Sequence, residues 1–595
     1  MNQMFLRNQG LFTLLGIIVS FAISLIYFPI AEGWSADANV YLFWFSAIIS
    51  SFLVAIQSSK DNISSLDIFL IVFALYIFIR QGLLGMESLQ NDFILVLFII
   101  FCLYWCFRFI NGSNSLSKNL FFFIIFIAIS ALVETAIGLG QFIQMLRHST
   151  KSNTITGTLS NSGIYASYLS ISLPAFLFLL KDDKIKCLSF LHIIRILLSI
   201  GIIPILFIII ISKSRTALFS AIFIFLFLYG KRLLVGLNSI IKRKIWKNAA
   251  LITVCTIFLL YIIYLFQLKH DSASGRLLIW RVSLNIFGES PWFGKGIGGF
   301  VKEYMNHQAI FFQNHPNSSF SFLADNTFFA FNEFLQVLVE IGLFGELFFL
   351  SIIAICIIVY RKNRSSETKF AIVGIGACLI NSLFSYTLHC TCIIFLFCFY
   401  LSIIAYHSPK YVVPIKNRSV LTSCFIAVLV LLSTYFAYQY KAHTAWKEGT
   451  ALILRDEDKA LSKYEKAYPY LKHRDMFLYN YGMTLFETRN FKLSERILNE
   501  AALQMGNTQL SMYLGKIYEG SKMYEEAELN YLKARFMCPK LFYPRLYLLQ
   551  AYIEEGNREF AKNMANEIIS TPEKIPSTDS KAIKDFALKY LRDSL

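Results

Sequence analysis

The sequence predicts an all-α, polytopic membrane protein of about thirteen transmembrane helices, ending in an α-solenoid of short helical repeats. Three observations carry that expectation. A 595-residue chain that is 56% hydrophobic and 16% charged, with 58 Phe and a mean hydropathy of +0.55, cannot cover a soluble surface with charge. Its apolar residues fall in runs of roughly 17 to 25, the length a helix needs to cross about 30 Å of hydrocarbon. The last 150 residues return to an ordinary charged composition and repeat with a period near 34.

The apolar runs centre near residues 21, 48, 75, 100, 131, 171, 200, 222, 257, 345, 376, 396 and 429. Arg7 precedes the first run and no small-residue cleavage pattern follows, so that run reads as a retained spanning helix. An odd number of spans puts the termini on opposite sides. Lys231 to Lys247, Arg361 to Lys369 and Lys410 to Arg418 are basic, whereas Ala31 to Asn39 and Gly85 to Asn91 hold no Lys or Arg. The excess of cations in cytoplasmic loops then places the N-terminus in the cytoplasm and the C-terminal tail in the periplasm, as expected for a bacterial inner-membrane protein. The same alternation exports Leu146 to Asn161, the turn Ser212 to Arg215, and the long loop 268–332. A net charge of +17 is therefore largely topological, and nucleic-acid binding is not expected. Ten of the 11 Cys lie in or beside apolar segments, with no spacing for a disulfide framework or a zinc site.

Two units are expected: a membrane domain over 1–440 and a periplasmic repeat domain over 441–595. Within the second, Ala460, Ser494, Ala527 and Ala561 recur at spacings of 34, 33 and 34, each at a position where a small side chain lets two helices of a unit approach closely. Gly482 and Gly515 occupy first helices, and Pro539 and Pro572 stand near unit ends. This pattern resembles tetratricopeptide repeats, which implies stacked helix pairs and either a protein-binding surface or a rigid spacer.

Polar residues at bilayer depth are costly and so mark candidate sites. Arg80, Arg108 and Arg195 read as structural or snorkelling cations. Glu134, with Gln141 two turns later, binds a substrate hydroxyl or pairs with a buried cation. Arg215 in SKSRTALF lies in the short exported turn, beside Lys213. Arg276 opens GRLLIWRVSLNIFGESPWFGKGIGGF, a stretch too short and polar to span, which fits a helix lying in the interface with Trp280 at headgroup depth. Two guanidinium forks on that face suit a diphosphate, a geometry Lys cannot match. The glycines at 294, 296, 298 and 299 allow tight turns and let a ligand approach the backbone, but lack the strand-to-helix setting of a nucleotide loop. Asn332 and Glu333 begin the next span, placed for sugar hydroxyls or for plain helix capping.

In order, TGTLSNSGIYASYL at 156–169, SKSRTA at 212–217, GRLLIW through GKGIGGF at 275–300 and FNEFLQVLVEIGLFG at 331–345 resemble the O-antigen ligase superfamily. The resemblance covers about residues 10 to 406. It implies a metal-independent, cofactor-free membrane glycosyltransferase that moves a glycan en bloc from an undecaprenyl-diphosphate carrier to a lipid or protein acceptor on the periplasmic face. It also implies that Arg215 and Arg276 engage the diphosphate. One position departs: the catalytic His that usually precedes the late Asn is Phe331 here, and a phenyl ring accepts no proton. Glu333 is the expected replacement, with His307 or His315 of the loop as alternatives, or no base at all. A polymerase of the same superfamily, a polysaccharide transporter and a non-catalytic scaffold are the competing readings. A repeat domain appended to such a protein further implies a protein partner or acceptor.

Overall fold

The computed structural model describes residues 62–85, 100–108, 116–148, 154–159, 161–181, 189–240, 270–412 and 418–593, with isolated positions elsewhere. The expected spans centred near 21, 48 and 257 lie outside those stretches, as does the side chain of Arg195. What is described is almost wholly helical. The membrane part holds α1 (Ser65–Leu83), α2 (Leu116–His148), α3 (Ser162–Lys181), α4 (Ser189–Ile211) and α5 (Arg215–Ile240). It continues with α6 (His270–Glu289), α7 (Gly299–Asn314), α8 (Glu333–Lys362), α9 (Ser366–Ser382) and α10 (Thr391–His407). Among the described residues four stretches are long and apolar enough to cross a membrane: Ser65–Leu83, Leu120–Arg147, Ser162–Leu180 and Glu333–Lys362.

The helices pack through aromatic and small residues rather than by any preference for protein over lipid. Phe123 and Phe399 meet at 4.5 Å, Phe107 and Phe395 at 5.0 Å, and Gly374 leaves the space that the buried Tyr400 ring fills. Polar side chains tie helices where hydrocarbon would penalise them unpaired: Ser167 donates to Asn381 at 2.8 Å, and Asn381 donates to Ser170 at 3.1 Å. Arg108 pairs with the buried Asp67 at 3.2 Å, so this cation is structural.

A two-stranded antiparallel ribbon, β1 (Asn62–Ser64) with β2 (Lys410–Val412), interrupts the all-α expectation. Its register pairs Ile63 with Tyr411. The ribbon exists because Ser64 leaves β1 in extended geometry and caps α1, with Asp67 closing a reciprocal capping box. At this end lies also the α8–α9 turn, where His407 bonds Asn363 and Glu367.

Among the described residues, the opposite end carries the turn Ser212 to Arg215 and the loop from 270 to 332. There Arg80 of α1 donates to the carbonyls of Phe293 and Gly294 at 3.2 and 2.8 Å, and Gln81 brackets Ile297. The glycine-rich stretch is packed by the protein itself. α8 breaks at Gly342 (φ 75°, ψ −171°), and the backbone groups released there are satisfied by the loop: Leu343 N–H donates to Pro291 O, and Gly296 N–H donates to Glu340 O. Gly294 and Gly342 face each other so closely that a Cβ on either would strike the other segment's backbone. The close approach read from these glycines is thus to α8, not to a ligand.

The chain leaves the bundle in α11 (Arg418–Leu452), 35 residues and about 52 Å long at 1.5 Å per residue. It runs without a break through the expected domain boundary at 440/441. Its C-terminal half pairs with α12 (Glu457–Leu471) as the first repeat. The pairs α13 (Asp475–Glu487) with α14 (Phe491–Ala502), α15 (Thr508–Gly520) with α16 (Tyr524–Met537), and α17 (Tyr543–Glu555) with α18 (Arg558–Ser570) follow. The small residues act as expected: Gly482 admits Leu498, Gly515 admits the Tyr531 ring, and the buried Ser494 donates to Gly482 O at 2.7 Å. α19 (Thr578–Asp593) covers the last pair through Ile583 and Ala587.

The repeats do not hang free. α16 lies along α7, Gly506 N–H donates to Val301 O, and the buried Gln308 donates to Met537 O at 2.7 Å. Asn326 bonds both Gln509 and Thr508. The exported loop and the repeat region therefore share a core, which includes Phe312, Tyr304, Met537 and Cys538.

Candidate active site

The turn between α4 and α5 is three residues long, and it reverses the chain by putting Lys213 at φ 55°, a left-handed conformation that an L residue adopts only at a cost. Lys213 is exposed, and Arg215 becomes the first residue of α5. A cation there opposes the helix dipole, whose positive end already favours an anion. Arg276 sits in the first half of α6 and reaches toward the same place. Its guanidinium lies 5.6 Å from the centre of the Phe331 ring. Burial, and then the nearby Arg215 charge, pull its pKa down to about 10, which still leaves it cationic at neutral pH. Among the described residues no carboxylate pairs with either arginine.

Phe331 has φ 51°, the second left-handed non-glycine residue of the site, and such strain of about 1–3 kcal/mol persists only where the surroundings overdetermine it. The surroundings here are specific. Trp280, one turn beyond Arg276, donates its indole N–H to Ala330 O at 3.0 Å. Gln336 accepts from the Ala330 N–H and donates to the buried Glu340. Tyr386 stacks on Phe329 at 4.5 Å, meets Phe331 edge-on at 5.4 Å, and accepts from Asn161 at 3.0 Å. The motifs at 156–169, 275–300 and 331–345 thus meet at one aromatic wall, and the Arg215 charge acts on Arg276 beside it.

Asn332 caps α8 by accepting from Leu335 N–H, the bland alternative of the sequence reading. Glu333 follows it, buried, with one oxygen accepting the Leu388 N–H at 2.6 Å. The imidazole of His389 lies 3.2 Å from the same carboxylate and packs on Phe329. Burial pushes the His389 pKa down, but the Glu333 hydrogen bond and the Glu333 and Glu340 charges outweigh it and leave it raised.

His389 was not singled out from the sequence. It stands in the short stretch SYTLHCT between two apolar runs, and its one signal was position, just before a span expected to start on the exported side. The two loop histidines are engaged elsewhere: His307 bonds Glu289 at 2.9 Å, and His315 bonds Phe311 O and stacks on that ring. Glu134 and Gln141 turn their polar atoms on the 156–158 loop, Glu134 accepting from Thr158 and Gln141 bracketing Gly157. These two hold the segment that carries Asn161 and stand apart from the arginines.

Residues 200–350 match the family model described as O-antigen ligase. The O-antigen ligase match takes in Arg215, Arg276, the glycine-rich loop, Asn332 and Glu333, and stops short of Tyr386 and His389. It covers three of the four motifs of the resemblance and leaves out the one at 156–169. No curated protein matches the chain. A chain in the crystal structure of the APC/C hetero-tetramer Cut9-Hcn1 aligns at 11% identity over 93% of this chain and 89% of its own, with a TM-score of 0.23, too low for any argument about fold.

Proposed function

We propose that this protein is a membrane glycosyltransferase of the O-antigen ligase kind, which transfers a glycan from an undecaprenyl-diphosphate carrier to a lipid or protein acceptor on the periplasmic face of the inner membrane. The observation that carries the reading is the pair Arg215 and Arg276: two half-buried cations that repel each other, one at a helix N-terminus, with no carboxylate paired to either among the described residues. Burial and like charge both disfavour such a pair, and the attraction of a bound dianion offsets both. A diphosphate accepts from both guanidinium forks, and it is also the leaving group whose charge grows as the glycosidic carbon is attacked. Lys213 adds a third cation at the rim, and Trp280 braces the loop that carries Phe331.

The basic loops of the other end of the bundle, and the presence of the repeats at the arginine end, support the periplasmic assignment. The repeat region, docked beside the site, then suits an acceptor or protein partner delivered to it.

The test uses purified protein in lipid with an undecaprenyl-diphosphate-linked glycan and candidate acceptors, with products located by mass spectrometry. Glycan on a lipid or protein acceptor, lost in Arg215→Ala and Arg276→Ala, supports the ligase. Longer chains still on the carrier make the protein a polymerase, and an intact donor with every acceptor removes the enzymatic reading.

A further inference from the structure

Resting on the glycosyl-transfer reading, we infer that His389 is the proton acceptor for the acceptor hydroxyl and that Glu333 is its positioning residue. The His389 Nδ1 lies 3.2 Å from the buried Glu333 side chain, and with Nδ1 donating across that contact the ring's lone pair falls on Nε2. The Leu388 N–H, bonded to the same carboxylate at 2.6 Å, fixes the carboxylate in turn. Nucleophile-activating sites share this order: a base whose second nitrogen is held by a third group. Glu333 itself, with both oxygens committed to the 388–389 turn, is badly placed to take a proton from a substrate.

Position agrees. Phe331 lies against Arg276 on one side and against Tyr386 on another, and Tyr386 stacks on Phe329, which also packs on His389. Phe331 and Glu333 are two residues apart, so their Cα atoms are at most about 7 Å apart. The imidazole and Arg276 therefore meet one aromatic wall, the imidazole at Phe329 and the guanidinium at Phe331. Such a wall suits a pyranose ring.

In the step, the acceptor O–H proton moves to His389 Nε2 as the acceptor oxygen forms a bond to the anomeric carbon. The bond from that carbon to the diphosphate oxygen breaks, and its electron pair leaves with the diphosphate, held by Arg215 and Arg276. His389 then returns the proton to solvent.

The charged and titratable groups facing His389 are Glu333 and Glu340 of α8, the neighbouring Cys390 thiol, and Arg276 beyond Phe331. The test measures donor binding, transfer rate and pH profile for full-length wild type, His389→Gln, His389→Ala and Glu333→Gln, using the undecaprenyl-diphosphate-linked glycan. The His389 variants are expected to keep donor binding and lose transfer by ~100-fold or more, with partial rescue of His389→Ala by added imidazole. Glu333→Gln is expected to lower kcat more than KM and to move the acid limb of the profile to lower pH, because the carboxylate no longer holds the imidazole pKa up. A merely structural Glu333 leaves that limb in place. Transfer within threefold of wild type in a folded His389→Gln overturns the inference, and so does an unmoved acid limb in Glu333→Gln should the His389 variants fail to fold. If wild type itself does not transfer while Arg276→Ala abolishes donor binding, the base assignment and the transfer reading fall together. If wild type transfers and only the His389 variants are neutral, the base assignment falls alone.

Discussion

Replacing Arg276 by Ala removes one of the two cations assigned to the diphosphate. A guanidinium about 4 Å from a phosphate charge is worth roughly 4 kcal/mol at an effective dielectric of 20. A charge-assisted hydrogen bond seen from the mutational side is worth about 1.5–3 kcal/mol. Arg276 is half-buried, and its pKa of about 10 shows that its surroundings already oppose its charge, so part of that attraction is offset in the free protein. The net loss on mutation is on the order of 3 kcal/mol, or ~150-fold in kcat/KM. Arg276→Lys keeps the charge without the fork and should recover only part of this. Because Arg215 is assigned to the same diphosphate, the double Ala variant should lose less than the product of the two single losses. The assay is the initial rate of donor consumption in lipid at low donor concentration. A folded Arg276→Ala protein that consumes donor within threefold of wild type refutes the reasoning.

Gly342→Ala places a Cβ against the backbone of Trp292 and Phe293 in a conformation open to glycine alone, at a cost of about 3 kcal/mol or more; thermal inactivation in detergent should accelerate by at least tenfold, whereas Gly288→Ala, which meets nothing, should not. Gln308→Ala strands the Met537 carbonyl and the Tyr304 hydroxyl, costing about 1–3 kcal/mol, and hydrogen exchange should rise together in 299–326 and 505–541 with α12 and α13 unchanged. Glu567→Gln takes the anion from between Arg535 and the buried Arg545, and after allowing for the partial exposure of Glu567 the loss is about 2–4 kcal/mol. Limited proteolysis of the full chain should then cut beyond residue 541 at least tenfold faster.

The repeats were legible because each small residue is a local requirement: Gly482 and Gly515 recur where a second helix must touch, and the structure puts Leu498 and Tyr531 there. Arg276 and Arg215 stood out because both lie in polar segments between apolar runs, where two guanidinium forks suit a diphosphate. The glycine cluster at 294–299 was read correctly as close backbone approach and misjudged as to partner, since only the break in α8 at Gly342 shows which backbone approaches. His389 gave no periodic or compositional sign. Its carboxylate neighbour lies 56 residues away in the chain, and no local rule connects the two.

The sequence by itself determined what depends on local pattern: apolar helices from the length of apolar runs, and paired helices from the period near 34. Only the tertiary structure decided what depends on contacts between distant segments. It joined Glu333 to His389, laid Phe331 between Arg276 and Tyr386, turned Glu134 and Gln141 onto their own loop, and docked the repeats on α7. Periodicity reports which face of a helix is buried, but a hydrogen bond between two loops is fixed by the packing of every helix that brings them together.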